Sequence, residues 1–111
     1  MCTILLIGED SHLLETRAAL LADEANIIGK TPKMLTAAWP DGPFDLVILC
    51  HSLDDDVRLN VIRSTRQKWP AAKVLQVEPD FGSILPTEAD AVTVATPKQL
   101  LRAAKGMLTE A

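Results

Sequence analysis

The sequence predicts an α/β fold in which a parallel sheet is covered by helices on both faces. Two observations carry this prediction. Short runs that are apolar at every position, as expected for strands buried on both faces, alternate along the chain with segments of helical periodicity. Strands that alternate with helices form βαβ units, and right-handed crossovers restrict the topology to a doubly wound sheet.

Five segments are predicted to be strands. The strongest are Thr3–Ile7, Asp45–Leu49 and Lys73–Val77, because their cores are rich in Val, Ile and Leu. Asn26–Ile28 and Ala91–Val94 are shorter and weaker candidates. Together they predict a five-stranded sheet.

Capping residues and prolines mark where the helices begin. The predicted starts, in chain order, are Asp10 or Ser11, Thr31–Pro32, Asp55 or Asp56, and Thr96–Pro97. The interval 78–90 departs from the alternation, since it holds two prolines and a glycine. We therefore expect the fourth crossover helix to be short or irregular.

Length and charge narrow the class of protein. The 111 residues fit one domain, predicted to span residues 1–111. The net charge of −4 argues against a nucleic-acid partner, which usually meets a basic face. No apolar run is long enough to span a membrane, and Met1–Ile7 lacks the pattern of a signal peptide. The two cysteines are far apart in the sequence, which favours a reducing compartment. We expect a cytoplasmic protein without a membrane partner.

The fold class also predicts where chemistry would lie, because ligands of open α/β sheets bind beyond the carboxyl ends of the strands. The residues at those ends are Gly8–Asp10, Gly29–Lys30, Cys50–Ser52, Glu78 and Ala95–Thr96.

A family resemblance appears at these positions. Ile4–Ser11 resembles the first strand and acidic loop of response-regulator receiver domains, and Phe44–Leu49 is similar to the strand that carries their phosphoacceptor. Ala89–Val94 and the helix start at Pro97 resemble their last strand and helix. The resemblance spans nearly the whole chain. It implies a flavodoxin-like (CheY-like) three-layer sandwich with strand order 2-1-3-4-5, and a role in two-component phosphorelay signalling.

The positions that carry receiver chemistry differ from the family pattern. Cys50 stands where receivers place the phosphoacceptor aspartate, Glu78 where they place Ser or Thr, and Ala95 where they place a lysine. The acidic loop survives in part, as Glu9 and Asp10. A buried thiol at position 50 is a soft, protonated group and so a poor phosphoryl acceptor. It is also a poor ligand for Mg²⁺, which prefers oxygen. Without a lysine at position 95, the positive charge that stabilises a transferring phosphoryl group is missing. We therefore predict a degenerate receiver that is not an enzyme and that acts as a phosphorylation-independent protein-interaction module.

The partner is expected to be a protein of a signalling pathway. The predicted interaction surface is the last helix, with Arg102 and Lys105 exposed. The resemblance also implies a homodimer, since receivers commonly pair through their helices. No cofactor is required by this interpretation.

Three alternatives stay open. Glu9, Asp10 and Glu78 could gather with one of Asp54–Asp56 and hold Mg²⁺ weakly. Cys50 could serve a small redox or thiol enzyme, although Cys2 is predicted to lie at the opposite edge of the sheet, beyond disulfide reach. A receiver of this kind could also be phosphorylated on an unconventional residue, for which Asp10, Asp54 and His51 are the candidates.

Overall fold

The structure is a computed structural model that describes residues 2–79 and 88–109. The elements follow one another in the predicted βα alternation. In chain order they are β1 (Thr3–Ile7), α1 (Ser11–Leu21), β2 (Asn26–Lys30), α2 (Pro32–Ala37), β3 (Leu46–Leu49), α3 (Asp55–Lys68), β4 (Lys73–Glu78), β5 (Ala91–Val94) and α4 (Pro97–Thr109).

The sheet has five strands, all parallel, in the order β2-β1-β3-β4-β5. This confirms the predicted fold class and strand order. Ile7 pairs with Leu49, and Leu49 pairs with Gln76, so the carboxyl ends of the three central strands lie side by side. The fourth crossover was predicted to be irregular over the interval 78–90, of which residues 80–87 lie outside the described residues.

Apolar side chains fill both faces of the sheet, as runs apolar at every position require. One cluster joins Ile4, Leu6 and Ile48 to α1 and α4, and Cys50 belongs to it. The other joins Leu5 and the alternate strand residues to α2 and α3. Each face therefore buries its own set of strand side chains beneath its own pair of helices.

Two helix starts carry the predicted caps. The Asp10 carboxylate accepts hydrogen bonds from the backbone N–H groups of His12 (3.0 Å) and Leu13 (3.3 Å) at the start of α1. The Thr31 hydroxyl accepts from the N–H of Met34 (3.3 Å) at the start of α2, where Pro32 is the first helical residue. Each cap satisfies N–H groups that the helix itself leaves unpaired.

The start of α3 differs from the prediction. Its N-cap is Asp54 and not Asp55 or Asp56, and the Asp54 side chain makes no capping hydrogen bond. Asp55 and Asp56 lie in the first turn, where carboxylates interact favourably with the positive end of the helix dipole. The sequence pattern of three consecutive aspartates therefore gave the right helix with the cap displaced by one residue.

Trp39 and Trp69 pack together at the ends of α2 and α3. Their ring centroids are 5.9 Å apart, and Phe44 meets Trp69 edge to face at 4.8 Å. The backbone of Gly42 lies so close to the Trp69 ring that an added Cβ atom would be 1.9 Å from the Trp69 Nε1 atom. Only glycine fits at this position.

Among the described residues, the structure contains no helix with the length and apolarity needed to span a bilayer.

Candidate functional site

The loops that follow β1 and β3 interlock at the carboxyl edge of the sheet. The Cys50 N–H donates to the Ile7 carbonyl (2.8 Å), and the Glu9 N–H donates to the Ser52 hydroxyl (3.1 Å). A Cβ on Gly8 would lie 3.0 Å from the Cys50 Cβ atom and 3.2 Å from its Sγ atom. Glycine at position 8 therefore lets the two loops close around the cysteine.

The Cys50 thiol is fully buried at this edge. Burial raises the pKa of the thiol above its usual value, and the charge and hydrogen bonding of Arg17 lower it by less. The thiol is therefore protonated at neutral pH, as the sequence predicted. Cys2 precedes β1 and so lies at the opposite edge, and both cysteines are free.

Arg17 brings a positive charge to the site from the second turn of α1. It is 4% exposed, and its Nη2 group donates to the Nδ1 atom of His51 at 3.1 Å. Its Nη1 atom is buried and has no hydrogen-bond partner among the residues that the structure describes. Helical side chains lean toward the helix N-terminus, so the long Arg17 side chain reaches back to the loop after β3.

Sequence reasoning missed Arg17, although a signal was present. The buried stripe of α1 is Leu14, Arg17 and Leu21, spaced i, i+3 and i+7. The apolar pattern of the sequence alone favours Leu14, Ala18, Leu21 and Ala25 for that stripe and leaves Arg17 out. An arginine at the spacing of the buried stripe was the signal that its side chain would be buried in the core.

His51 shares the Arg17 guanidinium with Cys50. Because β3 ends at Leu49, the alternation of side chains does not extend to positions 50 and 51, and both side chains lie near Arg17. The Arg17 hydrogen bond requires Nδ1 to be an acceptor, which places the proton of the neutral ring on Nε2. Burial lowers the pKa of His51, the Arg17 charge lowers it further, Glu78 opposes this, and Arg58 adds to the lowering.

Glu78 is paired with an arginine that the sequence did not indicate. Its carboxylate accepts from the Arg58 Nη1 group, from α3, and from the Gln76 Nε2 group at 2.6 Å. The Arg58 Nη2 group also donates to the Leu53 carbonyl (3.1 Å) and to Asp55 (3.0 Å). The side chains of Arg58 and Glu78 are 12% and 8% exposed, so this is a buried ion pair.

The acidic cluster proposed from the sequence does not form. Glu9 and Asp10 are exposed, Asp10 caps α1, and Glu78 is held by Arg58. Within residues 2–79 and 88–109, no three His, Cys, Asp or Glu side chains are grouped so as to hold a metal ion. The residues present do not fit the Mg²⁺ centre that the resemblance implies.

The remaining predicted residues are distributed as follows. Ala95 is half-buried beside Glu78, whose carbonyl accepts from the Ala95 N–H at 2.8 Å, and it brings no charge to the site. Arg102 and Lys105 are exposed on α4, away from this edge, and Lys105 lies 3.7 Å from the Glu24 carboxylate.

No protein-family model and no curated protein sequence matches this chain. Solved structures do. A CheY-like receiver domain from Methanospirillum hungatei has a TM-score of 0.77 at 20% identity, covering 99% of this chain and 95% of that chain. The chemotaxis protein CheY4 of Vibrio cholerae gives 0.78 at 14% identity, with 97% and 99% covered.

A third similar structure is the response regulator TrrA of Thermotoga maritima in complex with Mg²⁺–BeF, with a TM-score of 0.77 at 21% identity and 97% and 100% covered. TrrA has also been solved in complex with the histidine kinase ThkA. The chain has the receiver fold. On this receiver fold, the carboxyl edge holds a neutral thiol, an ion-paired carboxylate and two arginines that come from helices.

Proposed function

We propose that this chain is a degenerate receiver of two-component signalling type that binds a protein partner without aspartyl phosphorylation. The observation that carries the proposal is Cys50. A neutral, fully buried thiol stands where the resemblance implies the phosphoacceptor, and the protonated form is a poor nucleophile.

The surroundings of Cys50 support the same proposal. Glu78, at the position where receivers carry a hydroxyl, presents a carboxylate that would repel a phosphoryl group and that Arg58 already holds. Ala95 supplies no lysine charge. Because the described residues of this edge include no accessible, activated nucleophile, we propose that the chain is not an enzyme. A raised thiol pKa likewise speaks against the redox or thiol-enzyme alternative.

The proposed partner is a protein of a signalling pathway. The receiver fold supports this, since TrrA is solved in complex with a histidine kinase. On this chain the exposed cations Arg102 and Lys105 make α4 the proposed contact surface, with a homodimer as a second mode. Any Mg²⁺ binding is proposed to be weak and confined to the exposed Glu9 and Asp10 carboxylates.

The proposal is tested by incubating the chain with acetyl phosphate and Mg²⁺ and measuring its intact mass, with TrrA treated in parallel. We expect no phosphoryl adduct on this chain, because position 50 carries a thiol in place of the acceptor carboxylate and Arg58 holds the Glu78 carboxylate. A stoichiometric adduct would contradict the proposal. The variants Asp10→Asn, Asp54→Asn and His51→Gln would then identify which of the unconventional candidates carries it.

A further inference from the structure

Arg17 is a buried charge that makes no ion pair with any residue that the structure describes. Among residues 2–79 and 88–109, the buried charged residues are Arg17 and Glu78, at 4% and 6% exposure. Glu78 is ion-paired with Arg58, whereas the groups that Arg17 contacts, the ring of His51 and the thiol of Cys50, are both neutral. An arginine stays protonated at all physiological pH values, and a buried cation without an anion is strongly unfavourable. This imbalance points to an anionic ligand.

The geometry of the guanidinium indicates what kind of anion fits. The Nη2 atom donates to the His51 Nδ1 atom at 3.1 Å, while the neighbouring Nη1 atom is buried and unpartnered. These N–H groups belong to one planar fork, which matches two oxygens of a carboxylate or phosphate. His51 is half-buried on a turn, and an anion that binds the Nη2 side of the fork would have to displace its ring.

We propose that Arg17 and His51 form a binding site for a small oxyanion of the phosphate or carboxylate class. The anion accepts hydrogen bonds from the Nη1 and Nη2 groups of Arg17 and from the protonated imidazole. The anion is bound non-covalently, and the cation that binds it comes from α1. The inference does not depend on the proposed function.

Binding of the anion is coupled to protonation of His51. A proton on the Nδ1 atom of His51 removes the hydrogen-bond acceptor of Arg17 and places a second positive charge beside the guanidinium. A bound anion compensates both effects, because it accepts the hydrogen bond and neutralises the charge. The other charges that act on His51 are Glu78 and Arg58, which are paired with each other, while Cys50 is neutral. Glu9 and Asp10 are exposed, so salt screens their repulsion of the anion.

The test follows the two histidines of the chain by NMR as a function of pH. His51 reports on the site, and His12, exposed on α1, is an internal reference. Titrations in sodium phosphate and in sodium acetate are compared with sodium chloride at the same ionic strength. We expect saturating oxyanion to raise the pKa of His51 by about one unit, equivalent to about tenfold tighter binding to the protonated form, and to leave His12 unchanged. The anion that acts at the lower concentration identifies the class.

Two variants make the test specific. Arg17→Met removes the fork and is expected to abolish the shift, while Arg63→Met removes the same charge from an exposed position on α3 and is expected to keep it. Equal movement of both histidines, no movement of His51, or a shift that survives in Arg17→Met would overturn the proposal. If Arg17→Met does not fold, Arg17→Lys serves instead, and it must weaken the effect because an ammonium lacks the fork. An unchanged intact mass separates this binding from covalent phosphorylation.

Discussion

Cys50 and His51 meet Arg17 where the loop after β3 passes α1, and the positive charge of Arg17 affects the pKa of both. Burial keeps the thiol protonated, and it also favours the neutral imidazole. Arg17 acts on both groups in the direction of its positive charge, lowering the pKa of each. The edge therefore holds one fixed cation beside two groups that are neutral at physiological pH.

Stability is expected to fall as the pH drops below about 6.5, the unfolded-state pKa of histidine, because His51 titrates at lower pH when folded. The unfolded chain takes up the proton first, so the contribution of His51 is fully present above that pH. It is lost as the pH falls through the folded-state pKa. Urea unfolding measured from pH 7.5 downward in a buffer without phosphate checks this.

The matched variants for this pH dependence are His51→Gln and His12→Gln. Glutamine at position 51 offers Arg17 an oxygen acceptor that does not titrate, so this part of the pH dependence should disappear. His12→Gln, on the exposed face of α1, should retain it. Identical pH profiles for the wild type and His51→Gln would contradict the assignment.

At the scale of secondary-structure elements, the Arg58–Glu78 ion pair joins α3 to the end of β4. Arg58→Met leaves a buried carboxylate unpaired, and we expect the free energy of unfolding to decrease by about 3 kcal/mol. Arg63→Met is the control on the same helix. Arg63 pairs with Glu88 in solvent, at 63% and 49% exposure, and its loss should have no measurable effect. Denaturant midpoints at constant slope provide the measurement.

The double variant Arg58→Met/Glu78→Met separates pairing from burial. Replacing both charges with apolar side chains removes the uncompensated carboxylate, so the double variant should be more stable than Arg58→Met alone. A double variant that loses the sum of the two single effects would mean that the two residues act independently.

The elements were predictable because their signals are local. The apolar runs gave all five strands, and β2 extends two residues further than predicted, to Lys30, because its ladder with β1 continues as far as Ile7. The caps of α1 and α2 were predictable because their signals are also local. The cap of α3 was not, because three consecutive aspartates offer the same chemistry at adjacent positions.

The site was only partly predictable, because its charges come from distant elements. The sheet order correctly brought Gly8, Cys50, Glu78 and Ala95 to one edge. Arg17 and Arg58 reach that edge from α1 and α3, and the reach of a long side chain depends on helix orientation and rotamer, which spacing in the sequence does not give. The acidic cluster that the sequence left open as an alternative is therefore replaced, at the buried centre of this edge, by Arg17 and an ion-paired Glu78.

At the scale of the whole molecule, this reversal of charge predicts indifference to Mg²⁺. The chain carries a net charge of −4, which attracts cations diffusely, but the buried centre of the edge presents Arg17 and an ion-paired Glu78 in place of free carboxylates. We expect millimolar MgCl₂ to leave the unfolding temperature and the amide NMR spectrum as they are in NaCl of equal ionic strength, because screening affects both salts alike. TrrA, which is solved with Mg²⁺–BeF, is the comparison protein. A saturable, Mg²⁺-specific shift of the resonances of Glu9, Asp10 and Cys50 would show that oxygen ligands assemble at this edge after all.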